Sequence, residues 1–310
     1  MVKKLRVAAI DCGTNSIRLL IADITGNNFQ ELHRDMEIVR LGEGVDKNKA
    51  FSTAAIARTL NAVRKFKEEI TRKGATQIRF CATSATRDAT NREIFISGVR
   101  EILDVEVEVI PGTEEAQLSF QGATQSLPEG SAPFLVVDIG GGSTEFVLGQ
   151  TSTDPNLSAI SMNIGCVRMS ERHFKNQPPD QSQISAAVSD IDEAIEIASK
   201  KVNFSKAKTL IAVAGTATTV AAAALDLNKY DRHAIHLAYI NKQKTLEVAE
   251  RFLKMKTSEI SALPYMHPGR VDVISAGALV LARIIKFTNI DGFIASETDI
   301  LDGIAWSISN

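Results

Sequence analysis

One short pattern occurs twice in this chain, once in each half. Residues 11–22 read Asp-Cys-Gly-Thr-Asn-Ser-Ile-Arg-Leu-Leu-Ile-Ala, and residues 138–149 read Asp-Ile-Gly-Gly-Gly-Ser-Thr-Glu-Phe-Val-Leu-Gly. Each copy follows an apolar run and leads into another, which predicts a strand, a turn of small residues and a second strand. A single Gly-rich hairpin would carry little information, because such turns are common for steric reasons. Two aligned copies indicate a chain built from two related α/β halves.

Both turns offer backbone N–H groups beside a carboxylate. Such N–H groups bind phosphate oxygens, and carboxylates bind Mg²⁺. We therefore predict that Asp11 and Asp138 hold a metal, directly or through water; the alternative is that each only caps its turn through its side chain. The predicted phosphate-binding turn residues are Gly13, Thr14, Asn15 and Ser16 in the first copy, and Gly140, Gly141, Gly142 and Ser143 in the second.

The two copies differ in charge at one corresponding position, which is Arg18 in the first and Glu145 in the second. An arginine there can neutralise phosphate, whereas a glutamate can orient a water molecule or a metal ion. Phosphoryl transfer to water needs both. Exposed strand residues without a function are the alternative.

Composition limits the classes of partner. The 310 residues include 35 basic and 37 acidic side chains, for a net charge of -2, so no overall field favours nucleic acid or a membrane surface. The three cysteines form no CxxC pair, which favours reduced thiols. No segment resembles a signal peptide or a spanning helix. We expect a cytoplasmic protein with no nucleic-acid or membrane partner.

The chain length and a turn-rich connector near residues 126–133 predict two domains. We place the first at 1–128 together with a closing amphipathic helix at 297–310, and the second at 129–296. The predicted strands are 5–11, 17–24, 29–40, 77–82, 105–110, 134–138, 144–148, 159–163, 209–214 and 292–295. The predicted helices are 52–73, 91–103, 113–126, 166–174, 181–201, 217–225, 242–254, 271–287 and 297–308.

Three further segments could carry chemistry. A hydroxyl-rich turn with Arg87 follows the strand at 77–82, and Gly215 with Thr216 forms a third small-residue turn before a helix; both could bind anions. Glu114 and Glu115 open the helix at 113, where the helix dipole favours acids regardless of function. His233 and His236 lack a third ligand nearby, so a metal role is not predicted.

The usual signatures of several enzyme classes are absent. None of the 19 glycines precedes lysine, so no Walker-type phosphate loop exists. There is also no GxSxG, HExxH or GxGxxG segment, which removes the signatures of serine hydrolases, zincins and Rossmann dehydrogenases.

Together the motifs resemble the exopolyphosphatase and guanosine pentaphosphate phosphohydrolase family, within the acetate and sugar kinase, Hsp70 and actin superfamily. The match spans almost the whole chain. It rests on Asp11 to Ser16, Ala82 to Arg87, Pro111 to Ala116, Asp138 to Glu145, Gly165-Cys-Val-Arg168 and Gly215-Thr216. The first turn has Thr14 where many members have serine, which should keep the hydroxyl. We expect the two catalytic domains without the extra helical domains of longer members.

The resemblance implies an α/β protein of two actin-like (ribonuclease H-like) domains, with mixed sheets flanked by helices and the active site in the interdomain cleft. It also implies a C-terminal helix that returns to the first domain. Glu115 matches the family's catalytic base, assisted by Glu145, while Asp138, Gly140 and Glu145 match its phosphate, metal and water positions. Arg87 and Arg18 match positions that contact substrate phosphates. The resemblance also suggests a homodimer.

The expected function is a Mg²⁺-dependent phosphohydrolase, with another divalent ion or a monovalent ion as alternative cofactors. It would release the terminal phosphate of inorganic polyphosphate, the 5'-terminal phosphate of guanosine pentaphosphate, or both. One alternative is an ATP-dependent small-molecule kinase of the same superfamily. The other is a sensor that binds guanosine pentaphosphate without hydrolysing it.

Overall fold

The structure is a computed structural model that describes residues 4–125, 127, 129–152, 154 and 156–309. It divides into two compact units, which we call unit 1 (Met1–Gly122 and Ile300–Asn310) and unit 2 (Ala123–Asp299). Our predicted domain division was drawn instead after residues 128 and 296. The boundary residue Pro128, the predicted helix end Ser126 and the terminal residues Met1 and Asn310 lie outside the described part of the chain.

The elements follow in chain order. Up to residue 124 they are β1 (Leu5–Cys12), β2 (Ser16–Thr25), β3 (Asn28–Ile38), α1 (Val45–Asn48), α2 (Thr53–Lys73), β4 (Gln77–Ala82), α3 (Ser84–Asp88), α4 (Arg92–Leu103), β5 (Val107–Val109) and α5 (Gly112–Thr124). From there they are β6 (Phe134–Ile139), β7 (Thr144–Gly149), β8 (Ser158–Met162), α6 (Cys166–His173), α7 (Gln181–Lys201), β9 (Thr209–Val213), α8 (Ala214–Ala224), α9 (Arg232–Ile235), β10 (Tyr239–Asn241), α10 (Lys242–Lys254), α11 (Thr257–Ser261), α12 (Ile274–Thr288), β11 (Gly292–Ala295) and α13 (Ile300–Ser307). Short 3₁₀ turns lie at Glu129–Ser131, Phe204–Lys206 and Pro268–Arg270.

In its described residues, unit 1 contains a five-stranded sheet in the order β3-β2-β1-β4-β5. The first three strands are antiparallel, and β4 and β5 run parallel to β1. Side chains alternate between the two faces of a strand. Ala8 and Ile10 of β1 therefore join the core under α2 and α4, while Val7 and Ala9 join a second core with α13. Helices cover both faces, which explains why β1 and β2 read as continuous apolar runs.

Helix α13 belongs to unit 1, where it packs on β1 and β2. Ile300, Leu301 and Ile304 are almost fully buried in the second core. The guanidinium of Arg34, on β3, forms an ion pair with the Asp302 carboxylate, with Nη2 and Oδ1 2.5 Å apart. The helical spacing of these apolar residues in the sequence thus corresponds to one buried face.

The described residues of unit 2 contain a six-stranded sheet in the order β10-β11-β9-β6-β7-β8. Read from the other edge, it repeats unit 1: an antiparallel β8-β7-β6 followed by the parallel strands β9 and β11. All six residues of β6 are buried, as the central position requires. Leu135 and Val137 join a large core with α7, α8, α10 and α12. The predicted mixed α/β architecture in two related halves is confirmed.

Most predicted elements are present, with three kinds of difference. Strand β3 ends at Ile38 rather than residue 40, and α8 begins at Ala214 rather than residue 217. The short elements α1, α9, β10 and α11 were not predicted. The final helix begins at Ile300, so Glu297 precedes it. Within the described residues, no helix is both long and apolar enough to cross a lipid bilayer.

Candidate active site

The first predicted phosphate turn connects β1 to β2. The Gly13 N–H donates to the Ser16 carbonyl over 3.0 Å and closes the hairpin. Asp11 and Arg18 face each other across the two strands, and the Arg18 guanidinium binds the Asp11 carboxylate, with Nη2 and Oδ2 2.7 Å apart. The predicted metal ligand and the predicted phosphate ligand are therefore ion-paired with each other. Both are buried or partly buried.

A loop after β3 holds this turn from outside. The Gly42 N–H donates to the Thr14 carbonyl over 2.9 Å, and the Val39 and Arg40 N–H groups donate to the Asn15 carbonyl over 3.0 and 2.8 Å. The buried Thr14 hydroxyl has no hydrogen-bond partner among the described residues. A buried hydroxyl without a partner is rare in folded proteins, and a ligand oxygen would satisfy it. This observation fits the predicted phosphate role of Thr14.

The structure brings Glu115 and Arg87 together in unit 1. Glu115 lies in the first turn of α5 and Arg87 on α3, and Nη1 of Arg87 is 2.6 Å from Oε2 of Glu115. The same Nη1 donates to the Ile110 carbonyl over 2.9 Å, which fixes the guanidinium. Thr83 precedes α3, and its N–H donates to the Cys12 carbonyl over 3.1 Å. The hydroxyl-rich segment is thus anchored beside the end of β1.

Glu115 is an unusual carboxylate because it is buried, with 8% of its surface exposed. Burial raises the pKa of Glu115, and the nearby Asp11 charge adds to the rise. The Arg87 guanidinium and the Thr83 hydroxyl oppose it without reversing the direction. The adjacent Glu114 differs, since it points to Arg79 with Nη2 and Oε1 2.6 Å apart. The two acids of one motif therefore have different environments, and burial with a raised pKa makes Glu115 a candidate functional residue.

The second predicted phosphate turn connects β6 to β7 in unit 2. The Gly140 N–H donates to the Ser143 carbonyl over 3.0 Å, as Gly13 does to Ser16. Asp138 and Glu145 occupy the paired positions that Asp11 and Arg18 occupy in unit 1. Both carboxylates are buried, and the Ser161 hydroxyl donates to Oε1 of Glu145 over 2.6 Å. The two hairpins thus share backbone geometry and differ in charge.

Asp138 and Glu145 suit a magnesium ion that takes its other ligands from phosphate and water. Within the described ranges, no group of three or more His, Cys, Asp or Glu side chains could hold a metal ion. Mg²⁺, however, often binds through only one or two carboxylates, with phosphate oxygens and water completing its shell. Asp138 and Glu145 are direct cross-strand neighbours, so their side chains start close together. Asp138 and Glu145 in unit 2 and Asp11 in unit 1 stay predicted metal ligands.

The third turn differs from its prediction. Helix α8 starts at Ala214, so Gly215 and Thr216 lie in its first turn. Ala214 itself adopts a left-handed conformation with φ of 64°. The Arg270 guanidinium covers this turn and donates from Nη1 to the Gly215 carbonyl over 2.9 Å. A Cβ atom on Gly215 would lie 2.2 Å from Cζ of Arg270. Only glycine at position 215 therefore allows the Arg270 guanidinium to approach this closely.

Sequence reasoning did not predict the contacts of three residues that the structure places at these turns. They are Ser161 beside Glu145, Arg270 over Gly215, and Arg168, whose Nε donates to the Gly142 carbonyl over 2.6 Å. Arg168 was part of a recognised motif, but its contact lies 26 positions away in the sequence. Ser161 could have been found from the strand register opposite Glu145.

This chain is similar in sequence and fold to known proteins. The model of the Ppx/GppA phosphatase family matches residues 20–309. Exopolyphosphatase 2 of Mycobacterium tuberculosis is 44% identical, with 98% of each chain covered. A solved exopolyphosphatase-like protein has a TM-score of 0.94 at 44% identity, covering 98% of this chain and 97% of that one. The Ppx/GppA enzyme of Aquifex aeolicus has a TM-score of 0.81 at 27% identity, covering 99% and 100%. The chain therefore belongs to the Ppx/GppA phosphatase family, as its motifs predicted.

Proposed function

We propose that this protein is a Mg²⁺-dependent phosphohydrolase. Its substrate would be inorganic polyphosphate, guanosine pentaphosphate or both, and it would release their terminal phosphate, from the 5' end in the case of the nucleotide. The observation that carries the proposal is the buried Glu115, whose pKa is raised and whose carboxylate is held by Arg87 in the unit that also contains the first phosphate turn. The names of the relatives support polyphosphate as the substrate.

Glu115 would act as the base. It accepts a proton from the attacking water while the water oxygen forms a bond to the terminal phosphorus and the bridging P–O bond breaks. A carboxylate with a raised pKa is a stronger base than an ordinary one. The products are orthophosphate and a substrate shortened by one phosphoryl group. No acceptor other than water is needed.

The remaining residues would bind and orient. Backbone N–H groups of both hairpin turns and the Thr14 hydroxyl would contact phosphate oxygens, and Arg87 would neutralise part of their charge. Glu145, fixed by Ser161, would orient the water or a metal ligand. Bound Mg²⁺ would supply charge neutralisation at the phosphates, held by Asp138, Glu145 and Asp11.

Phosphate release by a Glu115→Gln variant tests this assignment. Glutamine keeps the size of the side chain and removes the base, so turnover should fall by about 10² to 10⁴-fold. Glu114→Gln is the matched control, since it alters the neighbouring acid that binds Arg79. The substrates are tripolyphosphate, long polyphosphate and guanosine pentaphosphate, each with and without Mg²⁺. Near-normal turnover in Glu115→Gln, or equal losses in both variants, would refute the role of Glu115.

The same assay separates the alternatives. A kinase would transfer a phosphoryl group from ATP to an acceptor and would release little free phosphate, and a sensor would bind guanosine pentaphosphate without releasing phosphate. The name of the Mycobacterium tuberculosis relative, an exopolyphosphatase, favours hydrolysis over transfer to another acceptor. Cytoplasmic location and a homodimer stay predictions; light scattering of the purified protein tests the second.

A further inference from the structure

The start of α6 contacts the second phosphate turn through an unusual set of hydrogen bonds. The Cys166 N–H donates to the Gly140 carbonyl over 2.9 Å. The Val167 and Arg168 N–H groups donate to the Gly141 carbonyl over 2.9 and 3.1 Å. The Gly142 carbonyl accepts from the Gly165 N–H over 3.3 Å and from Nε of Arg168 over 2.6 Å. Three consecutive carbonyls of the turn are thus bound by one short segment, residues 165–168.

This pattern determines where the N–H groups of the turn point. In a trans peptide, the carbonyl and the following N–H lie on opposite sides. Because the carbonyls of Gly140, Gly141 and Gly142 point to α6, the N–H groups of Gly141, Gly142 and Ser143 point away from it. Several successive N–H groups on one side form a concave anion site. The first N–H groups of α6, which in other helices can bind an anion, donate here to the carbonyl oxygens of the turn.

Close packing at Gly165 and burial of Arg168 show that this contact is specific. A Cβ atom on Gly165 would lie 2.4 Å from the carbonyl carbon and oxygen of Gly141, so only glycine allows the approach. Arg168 is 6% exposed. Burying a guanidinium costs free energy unless it makes strong hydrogen bonds, and its bond to the Gly142 carbonyl is short and charge-assisted.

In unit 1 the carbonyls of the first turn are bound by a different kind of segment, the loop after β3. The carbonyls of Thr14 and Asn15 are bound by N–H groups of the loop residues Val39, Arg40 and Gly42. A loop in one unit and a helix start in the other therefore hold equivalent carbonyls of equivalent turns. Two unrelated segments with one bonding pattern indicate that the orientation of the turn peptides is the shared requirement.

We propose that residues 165–168 form a brace that orients the N–H groups of Gly141, Gly142 and Ser143 for a phosphoryl group of the substrate, with Arg168 as its positioning residue. This inference rests on the proposed function for the identity of the ligand. It assigns to the Gly-Cys-Val-Arg motif a role that requires no direct contact with phosphate or metal.

The test measures phosphate binding apart from turnover. Each variant is placed in a Glu115→Gln background, and the dissociation constant of tripolyphosphate with Mg²⁺ is measured by titration calorimetry. Arg168→Met removes the guanidinium and keeps an unbranched apolar side chain, and Arg168→Lys keeps one charged donor. Arg172→Met is the control on the same helix, since Arg172 binds Asp190 with Nη1 and Oδ2 3.2 Å apart. Thermal unfolding of every variant is measured in parallel.

Arg168→Met should weaken binding by about 10- to 100-fold, as is usual for residues that orient binding groups. Arg168→Lys should recover most of the affinity, and Arg172→Met should bind like its parent. Unchanged binding in folded Arg168→Met overturns the proposal. The proposal is also overturned if Arg168→Lys loses as much affinity and as much melting temperature as Arg168→Met, because that result marks a purely structural role. If the otherwise wild-type protein releases no phosphate but binding still depends on Arg168, the brace stands and the proposed hydrolase activity fails.

Discussion

The backbones of α13 and α5 lie close together at Gly303. We predict that adding one methyl group there, in Gly303→Ala, greatly reduces activity. A Cβ atom on Gly303 of α13 would lie 2.0 Å from the Leu118 carbonyl oxygen on α5 and 2.7 Å from its carbonyl carbon. Ordinary contacts of this kind begin at 3.4 Å. Both neighbouring atoms belong to the backbone, so no side chain can rotate away. In Gly303→Ala the two helices must therefore separate locally by about 1.4 Å.

The displacement of α5 would also move Glu115, the proposed base. Leu118 follows Glu115 by one turn of α5, so a shift of this helix moves the Glu115 carboxylate relative to Asp11 and Arg87. A misplacement of about 1 Å can reduce a catalysed rate about 10²-fold. Stability should suffer less: overpacking costs about 1–3 kcal/mol, and alanine recovers about 1 kcal/mol of that through its higher helix propensity. We expect a folded protein with roughly 100-fold lower turnover.

Phosphate release from tripolyphosphate and urea unfolding would be measured on the same preparation. Gly98→Ala is the control, because the nearest atom to its added Cβ is Cδ1 of Leu60, 2.6 Å away at the end of a flexible side chain. That variant should keep its turnover. If Gly303→Ala unfolds at the wild-type urea concentration and also turns over normally, the α13 contact does not position Glu115 and the reasoning is refuted.

Two further predictions concern pH. Because the pKa of Glu115 is raised mainly by burial and the base must be ionised, kcat/KM should fall on the acid side at a pH above the 4.5 of an ordinary glutamate; pH–rate profiles check this, and a limb at or below that value would contradict it. Hydrogen bonds from Arg6 lower the pKa of Asp23 from 3.8 to about 2, so this carboxylate contributes stability above pH 3.8 that is lost as the pH falls toward 2. Urea unfolding of Asp23→Asn should therefore show a deficit that shrinks through that window, whereas a constant deficit would rule out the ion pair as its source.

The sequence was most informative where local pattern and tertiary structure agree. Strands β1, β2, β6 and β7 were predicted within two residues at each end, because apolar runs ending in Asp and small residues admit few other interpretations. The amphipathic stretch near the end gave α13 its buried face. The placement of Glu115 and Arg87 in one site came from the family resemblance, since acids in a first helical turn are otherwise common.

The misses have tertiary causes. β3 was expected to continue to residue 40, but the N–H groups of Val39 and Arg40 leave the ladder to bind the Asn15 carbonyl, and Arg40 takes a φ of 48°. No local signal announces a partner so distant in sequence. The ion pair between Arg18 and its cross-strand neighbour Asp11 was not predicted. The contact of α6 with the turn at residues 140–142 was not predicted either, because its donors and acceptors come from segments far apart in the chain.

The discontinuity of unit 1 also has a consequence for the order of synthesis. Residues 300–307 supply Ile304 and Ala305 to the core beneath β1 and α5, yet the ribosome makes them only after all of unit 2. Chains fold from the N-terminus as they emerge, at about 5–20 residues per second. Unit 2 can therefore complete its core first, while α5 lacks its packing partner. The helix that carries Glu115 gains this packing partner only after residues 300–307 have been made, so a nascent chain can form both hairpin turns before it can fix Glu115.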